Sequence, residues 1–224
     1  MVYDAIATRM AALQQAIVGA CRQVSGDVKR LPTLVAASKG QSVAAIEAAI
    51  ALGVTDFGEN RVQEAQEKWP EIKVRHPHLR LHLIGPLQSN KVADAVALFD
   101  VIETVDRIKI ADALAAEAAK TRRSLDYYIQ VNIGEESQKS GVLPAELDNL
   151  LKHAREGGHL NIVGLMGVPP ADANPAPYFA LLAKLATRYG MKQLSMGMSH
   201  DFDVAIRLGA THVRIGTALF GTRI

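Results

Sequence analysis

Short apolar runs and amphipathic stretches take turns along this sequence. Runs at 33–39, 55–60, 79–85, 101–106, 125–133, 161–168, 193–199 and 212–221 read as strands. Between them, 42–53, 61–72, 90–99, 107–121, 144–156, 175–190 and 200–209 read as helices. Ser42 is placed as an N-cap, Gly53 as a stop, Pro144 in a first turn and Pro70 near a helix end. Strands separated by helices run parallel. Eight such units closing on themselves make a TIM (β/α)8 barrel; an open, doubly wound sheet is the alternative. Apolar residues at Ile6, Met10, Leu13, Ile17 and Val24 add an N-terminal helix over 1–24, broken by Ser25-Gly26-Asp27. No linker or shift in composition divides the chain, so residues 1–224 read as one α/β domain.

Composition narrows the function classes. The formal net charge is +2, from 25 basic and 23 acidic side chains, which argues against a dedicated nucleic-acid binder. Cys21 is the only cysteine, so neither an intrachain disulfide nor a Cys-based zinc site is available. The N-terminal stretch is interrupted by Asp4, Arg9 and Arg22 and reads as neither signal peptide nor membrane span. A cytoplasmic protein with no membrane partner is expected.

In a barrel, chemistry gathers at the C-terminal strand ends. Lys39 ends the first strand among apolar neighbours. Desolvation there would favour the neutral amine, the form that attacks a carbonyl; the alternative is a lysine emerging into solvent. Backbone N–H groups of Gly216 and Thr217, with the hydroxyls of Ser199 and Thr217, form a candidate phosphate cradle beside the start of the helix at 200–209. A Gly/Ser-rich tight turn explains the same residues without a ligand. A Schiff-base lysine and a phosphate cradle together suit either pyridoxal 5'-phosphate (PLP) or a phosphosugar aldolase.

The motifs VAASKG, FGENRVQE, HLIGPLQSNK, IQVNIGEESQKSGV, GLMGVPP and LSMGMSHDFDVAIRLGATHVRIGTALFGTR decide between these. Across residues 33–223 the chain resembles the pyridoxal phosphate homeostasis protein family, which is similar to the barrel half of alanine racemase. The resemblance implies a fold-type III PLP-binding barrel. In it Lys39 is the Schiff-base lysine, Ser199, Gly216 and Thr217 bind the phosphate with Ser195 and Met198 alongside, Arg214 faces the pyridine nitrogen, and Asn60 and His82 lie near the ring. Two positions depart from the family pattern: Gly40, where threonine is frequent, and Arg61, where an aromatic residue is frequent.

The resemblance further implies a carrier that buffers or delivers PLP for vitamin B6 homeostasis, with apo PLP-dependent enzymes as recipients. The alternative is a weak amino-acid racemase. Against it, the resemblance supplies no second domain after the eighth strand, and Tyr127, Tyr128, Tyr178 and Tyr189 read as packing residues. Arg214 can only donate, so the ring nitrogen would stay an unprotonated acceptor and a weak electron sink. Lys139, flanked by Glu135 and Glu136 in the stretch after strand five, is a candidate second PLP acceptor or simply a solvated loop lysine. His76 and His78, read as lacking a nearby carboxylate, and His82 are not read as a metal set, and no metal is expected. No large apolar stripe demands a dimer, so a monomer is expected.

Overall fold

The structure, a computed structural model, describes residues 2–25, 30–157 and 159–222. Eight parallel strands close into a barrel in chain order. They are β1 (Thr33–Ala37), β2 (Asp56–Glu59), β3 (Arg80–Leu83), β4 (Val101–Val105), β5 (Asp126–Val131), β6 (Ile162–Gly167), β7 (Gln193–Ser195) and β8 (His212–Ile215). The pairing of β1 with β8, from Thr33 opposite His212 to Ala36 opposite Ile215, closes the ring and removes the open-sheet alternative.

Helices α1 (Val2–Ser25), α2 (Val43–Ala51), α3 (Val62–Arg75), α4 (Val92–Leu98), α5 (Ile108–Thr121), α6 (Leu147–Lys152), α7 (Ala176–Arg188), α8 (Phe202–Arg207) and α9 (Thr217–Phe220) surround it. Ser42 caps α2, its side chain accepting from Ala45 N–H. The main core lies between strands and helices. Phe57 and Trp69 pack there with ring centroids 5.1 Å apart, and Trp69 is fully buried. Helix α1 packs on α2, α8 and α9, over the helices that flank the β8–β1 closure. It buries Ile6, Met10, Leu13 and Ile17. At about 1.5–3 kcal/mol per buried large aliphatic side chain, that face accounts for its docking. Val24 is 57% exposed, because the last turn of α1 outruns the surface it covers. The expected break at Gly26-Asp27 lies outside the described residues.

Four elements end or begin elsewhere than the sequence reading places them. The stretches 193–199 and 212–221 are strand only to Ser195 and Ile215, because Gly197 (φ +91°) and Gly216 turn the chain over the barrel rim. Helix α3 runs through Pro70 to Arg75. The ring lies on the solvent face and forfeits one hydrogen bond, while Trp69 and Ile72 hold the helix to the core. The helix read over 144–156 starts at Leu147 and gives way to wider π-type turns over His153–Gly157. No helix among the described residues is long and apolar enough to cross a membrane.

The barrel interior is largely polar. Glu103 on β4 bonds Ser195 on β7, and Tyr128 on β5 contacts His212 on β8, so these side chains meet across the barrel rather than along one sheet edge. Val101, Tyr128 and Met166 form a small apolar cluster of their own.

Candidate functional site

A cavity of about 360 Å³ opens at the C-terminal ends of the strands. Its walls carry Lys39, Asn60, Ser199, His200, Arg214 and Thr217, over an apolar lining that includes Ala37, Ile84, Val168 and Met198. A larger cleft of about 480 Å³ lies against α5, walled largely by alanines and by residues of the turns that lead into β5 and β6. The strand-end cavity is the one where an amine, a guanidinium, an imidazole and hydroxyls converge, and it is the candidate site.

The turn carrying Lys39 is held from both sides. Before it, Ser38 Oγ donates to Glu59 Oε1 at 2.7 Å, and Lys68 Nζ donates to the Ser38 carbonyl at 3.0 Å. After it, Gly40 N–H donates to Glu64 Oε1 at 2.5 Å. Lys68 bridges Glu59 and Glu64, at 2.8 Å from each, and Trp69 Nε1 donates to Glu59 at 3.0 Å. The acidic residues of FGENRVQE thus brace the lysine turn, with Lys68 and Trp69 behind them. Asn60 reaches the cavity because Gly85 lets the two backbones touch: a Cβ on Gly85 would lie 2.2 Å from the Asn60 carbonyl oxygen. Arg61 is exposed at the start of α3, outside the cavity wall.

The opposite wall is built by the rim turns after β7 and β8. Gly197 occupies the left-handed region, and a Cβ there would sit 2.6 Å from Ala205 Cβ. Its carbonyl accepts from Arg214 N–H at 2.9 Å, which ties the two rim turns together. Ser199 Oγ accepts from Ala218 N–H at 3.2 Å, leaving the hydroxyl proton to donate to a ligand. At Gly216 a Cβ would come no nearer than 3.6 Å to the protein, so the space it leaves belongs to the cavity. Helix α8 begins only at Phe202. The Asp201 carboxylate stands at its start and accepts from Met198 N–H at 2.6 Å, so this helix end already faces a carboxylate.

Arg214 is 5% exposed. It donates to Ser195 Oγ at 2.7 Å and to the Gly167 carbonyl at 3.1 Å. Two of its five N–H groups are thereby anchored in the wall and the others remain for a ligand acceptor. Below it, Ser195 Oγ donates to Glu103 Oε2 at 2.6 Å. Glu103 Oε1 lies 2.8 Å from His82 Nδ1, and His82 Nε2 lies 3.1 Å from Asp56 Oδ1. Burial alone would push the His82 imidazole down, but bonds to two carboxylates outweigh it and raise its pKa. Burial likewise pushes Glu103 and Asp56 up, and the bond from His82 leads the interactions that hold both below their ordinary values.

The cavity therefore brings together Lys39, Asn60, Met198, Ser199, Arg214, Gly216 and Thr217, but not His82 or Ser195. Those two lie beneath the wall and reach the cavity through Arg214. Sequence reading missed Glu59, Glu64, Lys68, Glu103, Asp56 and His200. The sequence signal for Glu103 is a lone acid inside the apolar run VIETV, and for Glu59 an acid near the end of the strand read over 55–60. Lys139 lines a smaller cavity that shares Ile84 and Val168 with the main one; its amine pairs with Glu136 at 2.5 Å and donates to the Pro169 carbonyl. His76, read as lacking a carboxylate, lies 2.9 Å from Glu47 Oε2, and its ring meets that of His78 edge-on.

The sequence profile of the alanine racemase N-terminal domain matches residues 3–224. The pyridoxal phosphate homeostasis protein of Haemophilus influenzae is 39% identical over 221 residues, 94% of this chain and 93% of that protein. Its namesake in Escherichia coli K12 is 40% identical over 205 residues, 85% of this chain and 86% of that one. The chain belongs to the pyridoxal phosphate homeostasis protein family. Among solved structures, PipY of Synechococcus elongatus with PLP bound is 36% identical, with a TM-score of 0.82, covering 96% of this chain and all of that one. Alanine racemase of Clostridium difficile, at 13% identity and a TM-score of 0.74, shares the fold over 98% of this chain and 57% of its own length. Family membership, like the fold, agrees with the motif reading.

Proposed function

We propose that this protein binds PLP in the strand-end cavity, as a Schiff base on Lys39, and holds the cofactor for intracellular homeostasis and delivery rather than for turnover. The observation that carries this reading is the convergence on one cavity of the braced Lys39 turn, the Arg214 guanidinium and the open rim at Ser199, Gly216 and Thr217. The donor set fits the cofactor's parts. Ser199 and Thr217 offer hydroxyl donors to a phosphate, Gly216 leaves it room, and Arg214 offers N–H donors to a ring acceptor. The PLP-bound relative of the same fold supports the assignment.

When bound, PLP supplies an electron-withdrawing ring. A permanently protonated Arg214 keeps the ring nitrogen an acceptor, which weakens that withdrawal and favours storage over carbanion chemistry. Near-ultraviolet and visible spectra of the purified protein, titrated with PLP, test the assignment. Wild type is expected to develop the absorbance of a lysine Schiff base, and Lys39→Ala to lack it. No such band in wild type at excess PLP would overturn the reading. Solvent deuterium uptake at the α-carbon of added amino acids at enzyme-like rates would turn it toward the racemase.

A further inference from the structure

The polar chain beneath the cavity has a forced direction. A guanidinium only donates, and an ionised carboxylate only accepts. Ser195, with one proton, therefore accepts from Arg214 and donates to Glu103. Glu103 has one oxygen on Ser195 and the other on His82, and Asp56 accepts from Thr55 Oγ1 on its far oxygen at 2.6 Å. A neutral imidazole has one N–H, yet both nitrogens of His82 face carboxylates. The imidazolium satisfies both. It also balances the account of buried charge: Asp56 and Glu103 against His82 and Arg214. A neutral His82 would leave Asp56 to rely on Arg80, a part-exposed guanidinium already bonded to Asp126, which is costly in such a site.

Arg214 and Glu103 attract one another but share no direct hydrogen bond, since Nη1 and Oε2 are 3.8 Å apart. The Ser195 hydroxyl is the link, and a serine lying between two charged groups at 2.6 and 2.7 Å is well placed to transmit their alignment.

We propose that Glu103, acting through Ser195, is the positioning residue that presents Arg214 to the cavity, with His82 and Asp56 holding Glu103 ionised and in place. The cofactor-facing part of this proposal rests on the PLP reading above; the positioning of Arg214 does not. In the loaded protein the chain would fix the Arg214 donors against the ring acceptor. In the ligand-free protein it would restrain the guanidinium by itself.

Two readouts separate these parts, using Ser195→Ala, Glu103→Gln, the hydroxyl-retaining Ser195→Thr, and the core variant Ile102→Val as a control for simple destabilisation. The first is the set of Arg214 side-chain N–H resonances in ligand-free protein. Wild type and Ile102→Val are expected to show slow exchange with water; Ser195→Ala and Glu103→Gln to exchange at least tenfold faster; and Ser195→Thr to recover. The second is PLP release, expected to be about tenfold faster in Ser195→Ala and Glu103→Gln than in wild type. Unchanged Arg214 exchange in both variants overturns the proposal, as does equal acceleration by Ile102→Val. Should Glu103→Gln fail to fold, Ser195→Ala decides. Should wild type not bind PLP, the functional reading fails, while the ligand-free measurement still decides the positioning role.

Discussion

Two buried histidines with ring centroids 6.3 Å apart are pushed in opposite directions inside one barrel. His82 lies between Asp56 and Glu103 and its pKa is raised; burial pushes His212, beside Tyr128, down to about 4. Their effects on stability have opposite signs. For His212 the unfolded chain binds more protons between about 4 and the ordinary imidazole value of 6.5, so stability rises with pH across that interval. For His82 the folded chain holds the proton longer. Its contribution is fully present below 6.5 and is lost as pH rises through the folded value. Asp56 and Glu103, held low, stabilise above their unfolded values and lose that contribution as pH falls. Ligand-free protein should therefore be most stable near the ordinary imidazole value. His82→Gln should lower unfolding free energy by about 3–5 kcal/mol near pH 6, by stranding two buried carboxylates. It should also flatten the decline above pH 6.5. Urea melts from pH 4 to 9 check both; an undiminished alkaline slope in the variant would assign that slope to other groups.

At the scale of elements, the site is made by turns that end strands early. Gly197→Ala forces a Cβ to within 2.6 Å of Ala205 at φ +91° and should cost about 1–3 kcal/mol from crowding alone. It should also weaken PLP binding, because Met198 and Ser199 follow directly. Chemical denaturation and PLP titration measure the two effects, and wild-type values for both would remove Gly197 from the account. The same turns mark where sequence and structure part. The alternation of apolar runs with helical spacing was sufficient for the barrel, because period and length are local properties. The strand ends were not legible, since apolar Leu219 and buried Met196 continue the pattern while the backbone has already left the sheet. Lys39, Arg214, Ser199 and Thr217 could be picked out as chemistry at strand ends. Glu103 and His82 could not be linked, because their partnership crosses the barrel and spacing along the chain says nothing about facing positions. His200 was passed over because one histidine in a turn carries no pattern.

For the whole molecule, the cavity straddles the shortest registered ladder of the ring. β7 and β8 share a single registered pair, Ser195 with His212, whereas β5 and β6 share five. Met198 and Ser199 follow β7, Arg214, Gly216 and Thr217 lie on β8 and its turn, and Lys39 follows β1. A ligand touching all three strand ends would bridge the shortest ladder and the closure beside it. Structures open locally in cooperative units, and a ligand stabilises only against openings that destroy its site. At about 100 times its dissociation constant that amounts to about 2.7 kcal/mol, or about a hundredfold in exchange rate. Saturating PLP should therefore slow amide hydrogen exchange over 193–199 and 211–220 by up to about a hundredfold. Amides of α6 and the His153–Gly157 turn, exchanging through openings that leave the cavity intact, should hardly change. Hydrogen–deuterium exchange with and without PLP measures both regions at once. Equal slowing in the two would mean that the barrel opens as one unit, and the β7–β8 seam would lose its standing as the element the cofactor closes.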